Sequence, residues 1–287
     1  VAKMCVHTED DYVSRVLRDK HRWRQCDPLS KFWNRRGEEQ TTKKANENAE
    51  EVYVEIGANV GSCVMEMLMS TNANIVAFEP HPANYKLLAA TISMLDLRYQ
   101  NRVALFPIGL GSGKSKSQIF SGVGNMGNSV VGKPLKDNPE QETHPPVDIF
   151  IERLDSILSD NITIPLVKMD AQGLECQILD GLSNDIADNI QRLKFEYARK
   201  WLDGQGCVDL LPKLRSFGFA ITHEDGRSMN LDDFNCGVCD LYATKRKEQP
   251  AVNSLPANSI KQTNDNGGKW QMIHYPDYQA LARTCNQ

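Results

Sequence analysis

The chain has 287 residues, 40% of them apolar and 24% charged, enough to bury a real core as one large domain or one domain with appendages. A net charge of −4 and a pI near 5.9 give no bulk electrostatic case for nucleic acid as a partner. No stretch approaches the ~20 continuous apolar residues that span a bilayer. Residues 1–10 also lack the apolar core of a signal peptide. The chain starts at Val1 rather than Met, which leaves room for a leader or anchor before it.

Residues 1–50 read as a polar N-terminal extension with one helical pattern, Val13, Val16 and Leu17, followed by the aromatics Trp23, Phe32 and Trp33. The charged run 35–51 contains an exposed connector. The texture then changes to a domain over 51–247. Val52–Ile56 is a β-rich run closed by Gly57-Ala-Asn-Val-Gly61, and Cys63, Val64, Met67 and Leu68 recur at helical spacing after it. Ile75–Phe78 is a second strand, Asn84–Leu95 a second helix and Val103–Ile108 a third strand. That alternation predicts a parallel sheet with right-handed crossovers. Gly109–Gly132 is Gly-, Ser- and Asn-rich and reads as irregular or short-stranded, with 122–129 as a loop. Residues 133–146 form a polar loop and Phe150–Leu158 a short helix. Leu166–Met169 is a strand and Glu175–Leu182 a helix. Leu193–Glu196 is a further strand and Val208–Phe217 a further helix. Phe219–Thr222 and Leu241–Thr244 close the sheet as a strand pair, and 248–287 is a linker and tail.

There are eight cysteines. Cys63 and Cys176 fall on apolar helical patterns and read as buried free thiols. Cys5, Cys26, Cys207, Cys236, Cys239 and Cys285 are the candidates for disulfides. With the sequon Asn161-Ile-Thr163 they favour a secretory-pathway lumen over the cytoplasm. Zinc at Cys236-Gly-Val-Cys239 is disfavoured because no second ligand pair lies at compatible spacing.

In an open parallel sheet the ligand crevice lies at the carboxyl ends of the strands, where the strand order reverses. Glu55-Ile-Gly-Ala-Asn-Val-Gly61 occupies that position. Asn59 stands where a dinucleotide motif has its second glycine, so an NAD-dependent oxidoreductase is disfavoured. Glu79, at the end of the second strand, can accept hydrogen bonds from both hydroxyls of a ribose.

Three ordered blocks, Val54–Gly61, Val76–Pro82 and Leu166–Glu175, continued by Ile178-Leu-Asp-Gly181, resemble the signature segments of FkbM-type methyltransferases. The resemblance runs from about Val52 to Thr244. It implies a Rossmann-like class I methyltransferase fold, mostly parallel with a closing antiparallel strand. It also implies S-adenosylmethionine as donor and transfer to a hydroxyl oxygen, often on a sugar or polyketide. Carried over by position, the 55–61 loop, with Glu55, Gly57, Ala58, Asn59 and Gly61, holds the methionine part of the cofactor. Glu79 binds the ribose, Pro80 and His81 border the adenine, and Asp170 faces the cofactor's amino group and methyl. Residue 172 is Gln where many members have Glu.

Methyl transfer to a hydroxyl needs alignment, exclusion of water and a route for the proton. Asp170, Glu175, Glu196 and His81 are the candidate bases, with Asp170 favoured as cofactor-orienting and Glu196 the more attractive base. Lys168 is placed by parity on a sheet face near the site or in an ion pair with Asp170 or Glu196. Glu175 also suits the first turn of a helix. No acidic cluster for a metal is evident, so metal independence is expected, with full activity retained after chelation. The expected function is a glycan or sugar O-methyltransferase, the acceptor being a small molecule or glycan. The alternatives are a cytosolic small-molecule O-methyltransferase and a catalytically silent binding module on the same fold.

Overall fold

The computed structural model describes residues 3–9, 11–39, 50–132, 142–159, 161–224, 227–229 and 236–246, with side chains to residue 34 in the second of these. The tail expected at 248–287 and most of the polar loop at 133–146 lie outside the described residues.

In chain order the elements are α1 (Tyr12–Lys20), α2 (Asp27–Glu39), β1 (Glu50–Ile56), α3 (Ser62–Ser70), β2 (Asn74–Phe78), α4 (Pro82–Ser93), α5 (Leu97–Gln100) and β3 (Val103–Phe106). Next come β4 (Gly109–Leu110), β5 (Ser115–Gly122), β6 (Asn125–Val131), β7 (Val147–Glu152), β8 (Ile162–Met169), α6 (Glu175–Asp180) and α7 (Asn184–Asn189). The chain closes through β9 (Arg192–Ala198), α8 (Arg199–Gly204), α9 (Leu210–Ser216), β10 (Phe219–Thr222) and β11 (Val238–Lys245).

A seven-stranded sheet runs in the order β10-β11-β9-β8-β1-β2-β3. Its pairings are parallel except where β11 inserts antiparallel between β9 and β10. This is the class I methyltransferase sheet that the resemblance implied. Both faces are covered, as the crossovers of a parallel sheet require. Val52, Val54 and Ile56 of β1 face a core shared with Ile178, Leu179, Ile186 and Leu214. Tyr53, of opposite parity, faces one built with Leu29, Trp33, Val64, Leu68 and Leu88. Leu29 and Trp33 of α2 are buried in that layer, so the N-terminal segment packs on the domain over much of its described length.

A second sheet, β4-β7-β5-β6, lies between β3 and β8 in the chain. It corrects two expectations. Residues 125–129 belong to strand β6 rather than to a loop. Phe150 is in strand β7 rather than a helix, and only Leu154–Ser156 forms a 3-10 turn. The reason is the period: Ile149 and Ile151 are buried while Phe150 between them is 57% exposed, the two-residue alternation of a strand with one buried face.

The cysteine reading is also corrected. Cys63 is paired with Cys26 and Cys176 with Cys207, and Cys236 is joined to Cys239. Cys5 is disulfide-bonded as well. Burial on a helix face does not distinguish a thiol from a half-cystine; the distance to the next sulfur does. Replacing Cys176 and Cys207 together by serine is expected to lower the unfolding free energy by about 3 kcal/mol, because the bridge closes a loop of 31 residues. Urea midpoints measure it, and an unchanged midpoint would mean the bridge carries no stability.

Candidate active site

The strand order reverses between β1 and β8, so the crevice opens at their carboxyl ends. Gly57 leaves β1 at φ +79°, and a Cβ on it would stand 2.0 Å from the Asp170 carbonyl oxygen. Only a glycine lets the ends of β1 and β8 approach this closely. The Gly57 and Ala58 N–H groups bond the Phe78 carbonyl at 3.0 and 2.9 Å, joining the loop to β2. Asn59 sits at φ +53°, a left-handed conformation that Asn tolerates, and its Oδ1 accepts the Val60 N–H at 2.7 Å.

Glu79 follows β2. Its Oε2 accepts the Asn59 N–H at 2.6 Å and its Oε1 the His81 N–H at 2.8 Å, so one carboxylate couples the two loops of the crevice. Burial pushes this carboxyl up to about 7, against N–H bonds that favour its charged form.

Glu55 and Lys168 are register partners on adjacent strands. Lys168 Nζ lies 3.6 Å from Glu55 Oε1 and 3.5 Å from Asp170 Oδ2, and Tyr53 OH donates to Glu55 Oε2 at 3.0 Å. Burial by itself would lower Lys168, but the carboxylates of Asp170 and Glu55 hold it above its ordinary value. The expected Lys168–Asp170 ion pair is therefore present, with Glu55 as the other partner.

Three more residues complete the group, of which sequence reasoning had noted only the identity of Gln172. Gln172, at φ +52° and 7% exposed, donates from Nε2 to Asp170 Oδ1 at 2.6 Å and to Glu196 Oε2 at 3.3 Å. Its Oε1 has no partner among the described residues. Lys194, fully buried, pairs with Asp240 at 2.9 Å beside them. The available signal for Lys194 was a lysine inside an apolar strand, two residues before Glu196 and so on the same face. Burial, then the charges of Asp170 and Asp240, push Glu196 up to about 8.

These loops enclose a cavity of about 340 Å³, within the range of small-molecule sites. Glu55, Gly57, Ala58, Asn59, Glu79, Pro80, Lys168, Asp170, Gln172 and Glu196 line it, with Asn125–Ser129 of β6 opposite. Gly61, His81 and Glu175 are not in the lining. Gly61 turns the chain into α3 at φ +90° against Leu88. His81 caps α4, its Nδ1 accepting the Ala83 N–H at 3.2 Å, and burial lowers it to about 4. Glu175 Oε1 accepts the Ala171 N–H at 3.0 Å, and burial pushes its carboxyl up to about 7. Among the described residues no group of three or more His, Cys, Asp or Glu side chains could hold a metal ion. None of their helices is long and apolar enough to cross a membrane.

The acidic side chains of the lining, Glu55, Glu79, Asp170 and Glu196, outnumber its one lysine, Lys168. That excess suits a cationic ligand, and S-adenosylmethionine carries its positive charge on sulfur. The loop packed without side-chain clearance at Gly57, the buried acid Glu79 at the end of β2 and the open carbonyl of Gln172 fit the same molecule. Fold and site fit a methyltransferase of the S-adenosylmethionine-dependent class. Residues 55–221, more than half of the chain, match the family described as "Methyltransferase FkbM domain". The chain belongs to that family, and its cofactor is S-adenosylmethionine. No match was found among curated proteins. Among solved structures it is similar to magnesium protoporphyrin IX methyltransferase from Synechocystis with bound S-adenosylmethionine, at 10% identity over 84% of this chain and 87% of that one, TM-score 0.41. It is also similar to precorrin-6y C5,15-methyltransferase from Geobacter metallireducens, at 13% identity over 69% and 82%, TM-score 0.36.

Proposed function

We propose that this methyltransferase acts on a hydroxyl oxygen, that of a sugar or glycan, in an oxidising lumen of the secretory pathway. The observation that carries the reading is the Asp170–Gln172–Glu196 group at the cavity, with the Glu196 carboxyl held near 8. A base in that range can take the proton of an attacking hydroxyl near neutral pH. When bound, S-adenosylmethionine supplies a methyl carbon made electrophilic by its sulfonium. The residues do the rest. Glu79 accepts the ribose hydroxyls, the 55–61 loop cradles the methionine portion, and Asp170 orients its amino group. Pro80 borders the adenine, and His81 holds the start of α4 beneath it. Lys168 holds Asp170 and Glu55 in place, and the cavity walls limit the access of bulk water. Glu175 serves the backbone of the turn after β8. No step in this scheme needs a metal, and turnover is expected to survive exhaustive chelation.

The lumenal placement rests on the disulfides, because such bonds persist where the surroundings are oxidising. They also weigh against the cytosolic small-molecule alternative. Calorimetric titration with S-adenosylhomocysteine tests the cofactor half of the proposal. Micromolar-range binding is expected, weakened about tenfold or more in Glu79→Ala. No binding by the folded wild type would sink the reading. Methyl transfer from labelled donor to simple glycosides tests the acceptor half. Tight cofactor binding with no transfer to any hydroxyl would favour a silent binding module.

A further inference from the structure

Residues 11–25 precede the family match, which begins at residue 55, yet Tyr12, Val13, Trp23 and Gln25 line the cavity. They are fastened there. Asp11 is buried and uses both carboxylate oxygens on main-chain N–H groups of separate segments. Oδ1 accepts from Ser14 at 2.8 Å, which starts α1, and Oδ2 accepts from Met126 of β6 at 2.9 Å. The Tyr12 N–H bonds the Gly124 carbonyl at 2.9 Å. From the other side Asn84 Nδ2 donates to the Met126 carbonyl at 3.4 Å, and Asn84 Oδ1 meets His7 Nε2 at 2.7 Å. Both backbone polar groups of Met126 are thereby held by side chains.

The result is close contact at the next residue. A Cβ on Gly127 would lie 2.9 Å from Asn59 Nδ2 in the cofactor loop and 2.9 Å from Val13 Cγ2 in α1. The Cys26–Cys63 disulfide ties the far end of the segment to α3, directly after that loop. Three pieces of chain remote in sequence therefore meet over one edge of the cavity.

We propose that Asp11 is a positioning residue for the cofactor: it bolts the N-terminal segment to β6 so that the two together close the S-adenosylmethionine cavity against the 55–61 loop. The assignment rests on the cofactor reading above. A carboxylate that served only to start α1 would lower stability when removed and leave the affinity of the folded protein unchanged. A closing wall changes affinity, chiefly through faster dissociation.

The experiment is titration of S-adenosylhomocysteine into wild type, Asp11→Ala, Asp11→Asn and Tyr12→Ala, each with a thermal unfolding curve. Asp11→Ala is expected to bind about tenfold more weakly or worse. Asp11→Asn, with one side-chain carbonyl oxygen for two N–H groups, should fall between it and wild type. Tyr12→Ala keeps every backbone bond and loses a half-exposed ring, so it folds normally; its affinity should drop about threefold or more. Affinities within twofold of wild type for both Asp11→Ala and Tyr12→Ala would overturn the assignment. If Asp11→Ala does not fold, Tyr12→Ala decides by the same threshold. Failure of folded wild type to bind at all would overturn the cofactor reading and this assignment with it, a different result from loss of the difference between variants.

Discussion

Glu196→Gln is expected to lower the turnover of methyl transfer about a hundredfold or more while S-adenosylhomocysteine affinity stays within twofold of wild type. The argument starts from position. Glu196 lies on β9, two strands from β1, so the cofactor loop and the proposed base are separated by two inter-strand steps, about 10 Å at the usual spacing. With the cofactor held across β2, β1 and β8 as proposed, β9 is left to the acceptor. The amide substitution preserves shape and removes only the proton-accepting capacity. It should also change the pH profile. With the Glu196 carboxyl pushed up to about 8 by burial and by Asp170 and Asp240, the wild-type rate on free enzyme should rise with pH as this group loses its proton and level off above about 8. The variant should lack that limb. Full turnover in Glu196→Gln with an unchanged profile would remove Glu196 from the chemistry and return attention to Asp170.

Gly57→Ala should cost about 2–5 kcal/mol of stability and abolish measurable cofactor binding in whatever fraction folds. Two effects add. An L-residue at φ +79° pays roughly 1–2 kcal/mol for the left-handed conformation. The new Cβ must also displace the Asp170 carbonyl oxygen from 2.0 Å, a main-chain atom at the end of β8, which adds overpacking of about 1–3 kcal/mol. Relief means parting β1 from β8 at the crevice, where the Asp170 N–H bonds the Ile56 carbonyl at 3.0 Å. Urea unfolding and calorimetry measure both consequences. A variant with wild-type midpoint and affinity would show that the two strand ends do not approach this closely.

Much of the site was legible before any coordinate. Gly57 and Gly61 marked the turn because a glycine between a strand and a helix has a backbone reason to be there. Glu79 stood out because it ends the next parallel strand, and there it bridges the Asn59 and His81 N–H groups. Asp170 followed from the apolar run before it, and Lys168 from its parity. Gln172 was harder: the family pattern drew attention to its identity, but nothing local says that its amide reaches both Asp170 and Glu196, since that depends on where β9 lies relative to β8. Lys194 and Asp240 escaped for the same reason, being 46 positions apart in the chain and 2.9 Å apart in space.

The amino-acid order by itself determined the alternation of strand and helix, the parallel core of the sheet and the glycine turn after its first strand. These rest on local periodicity, turn chemistry and the handedness of crossovers, all of which act within a few tens of residues. Tertiary structure alone decided the rest. Cys63 and Cys176 looked like buried thiols on helix faces, and only the folded chain brings Cys26 and Cys207 within bonding reach, with Cα atoms 4.9 and 5.4 Å apart. Residues 147–152 became a strand because β4 and β5 offered edges to pair with, a choice that tertiary context makes in a short apolar run. The N-terminal segment read as a polar extension, yet Asp11 finds its second N–H donor 115 residues away in β6. Helix periods and glycine turns are written in neighbouring residues; which distant segment closes a cavity is set by contacts that exist only once the sheet has formed.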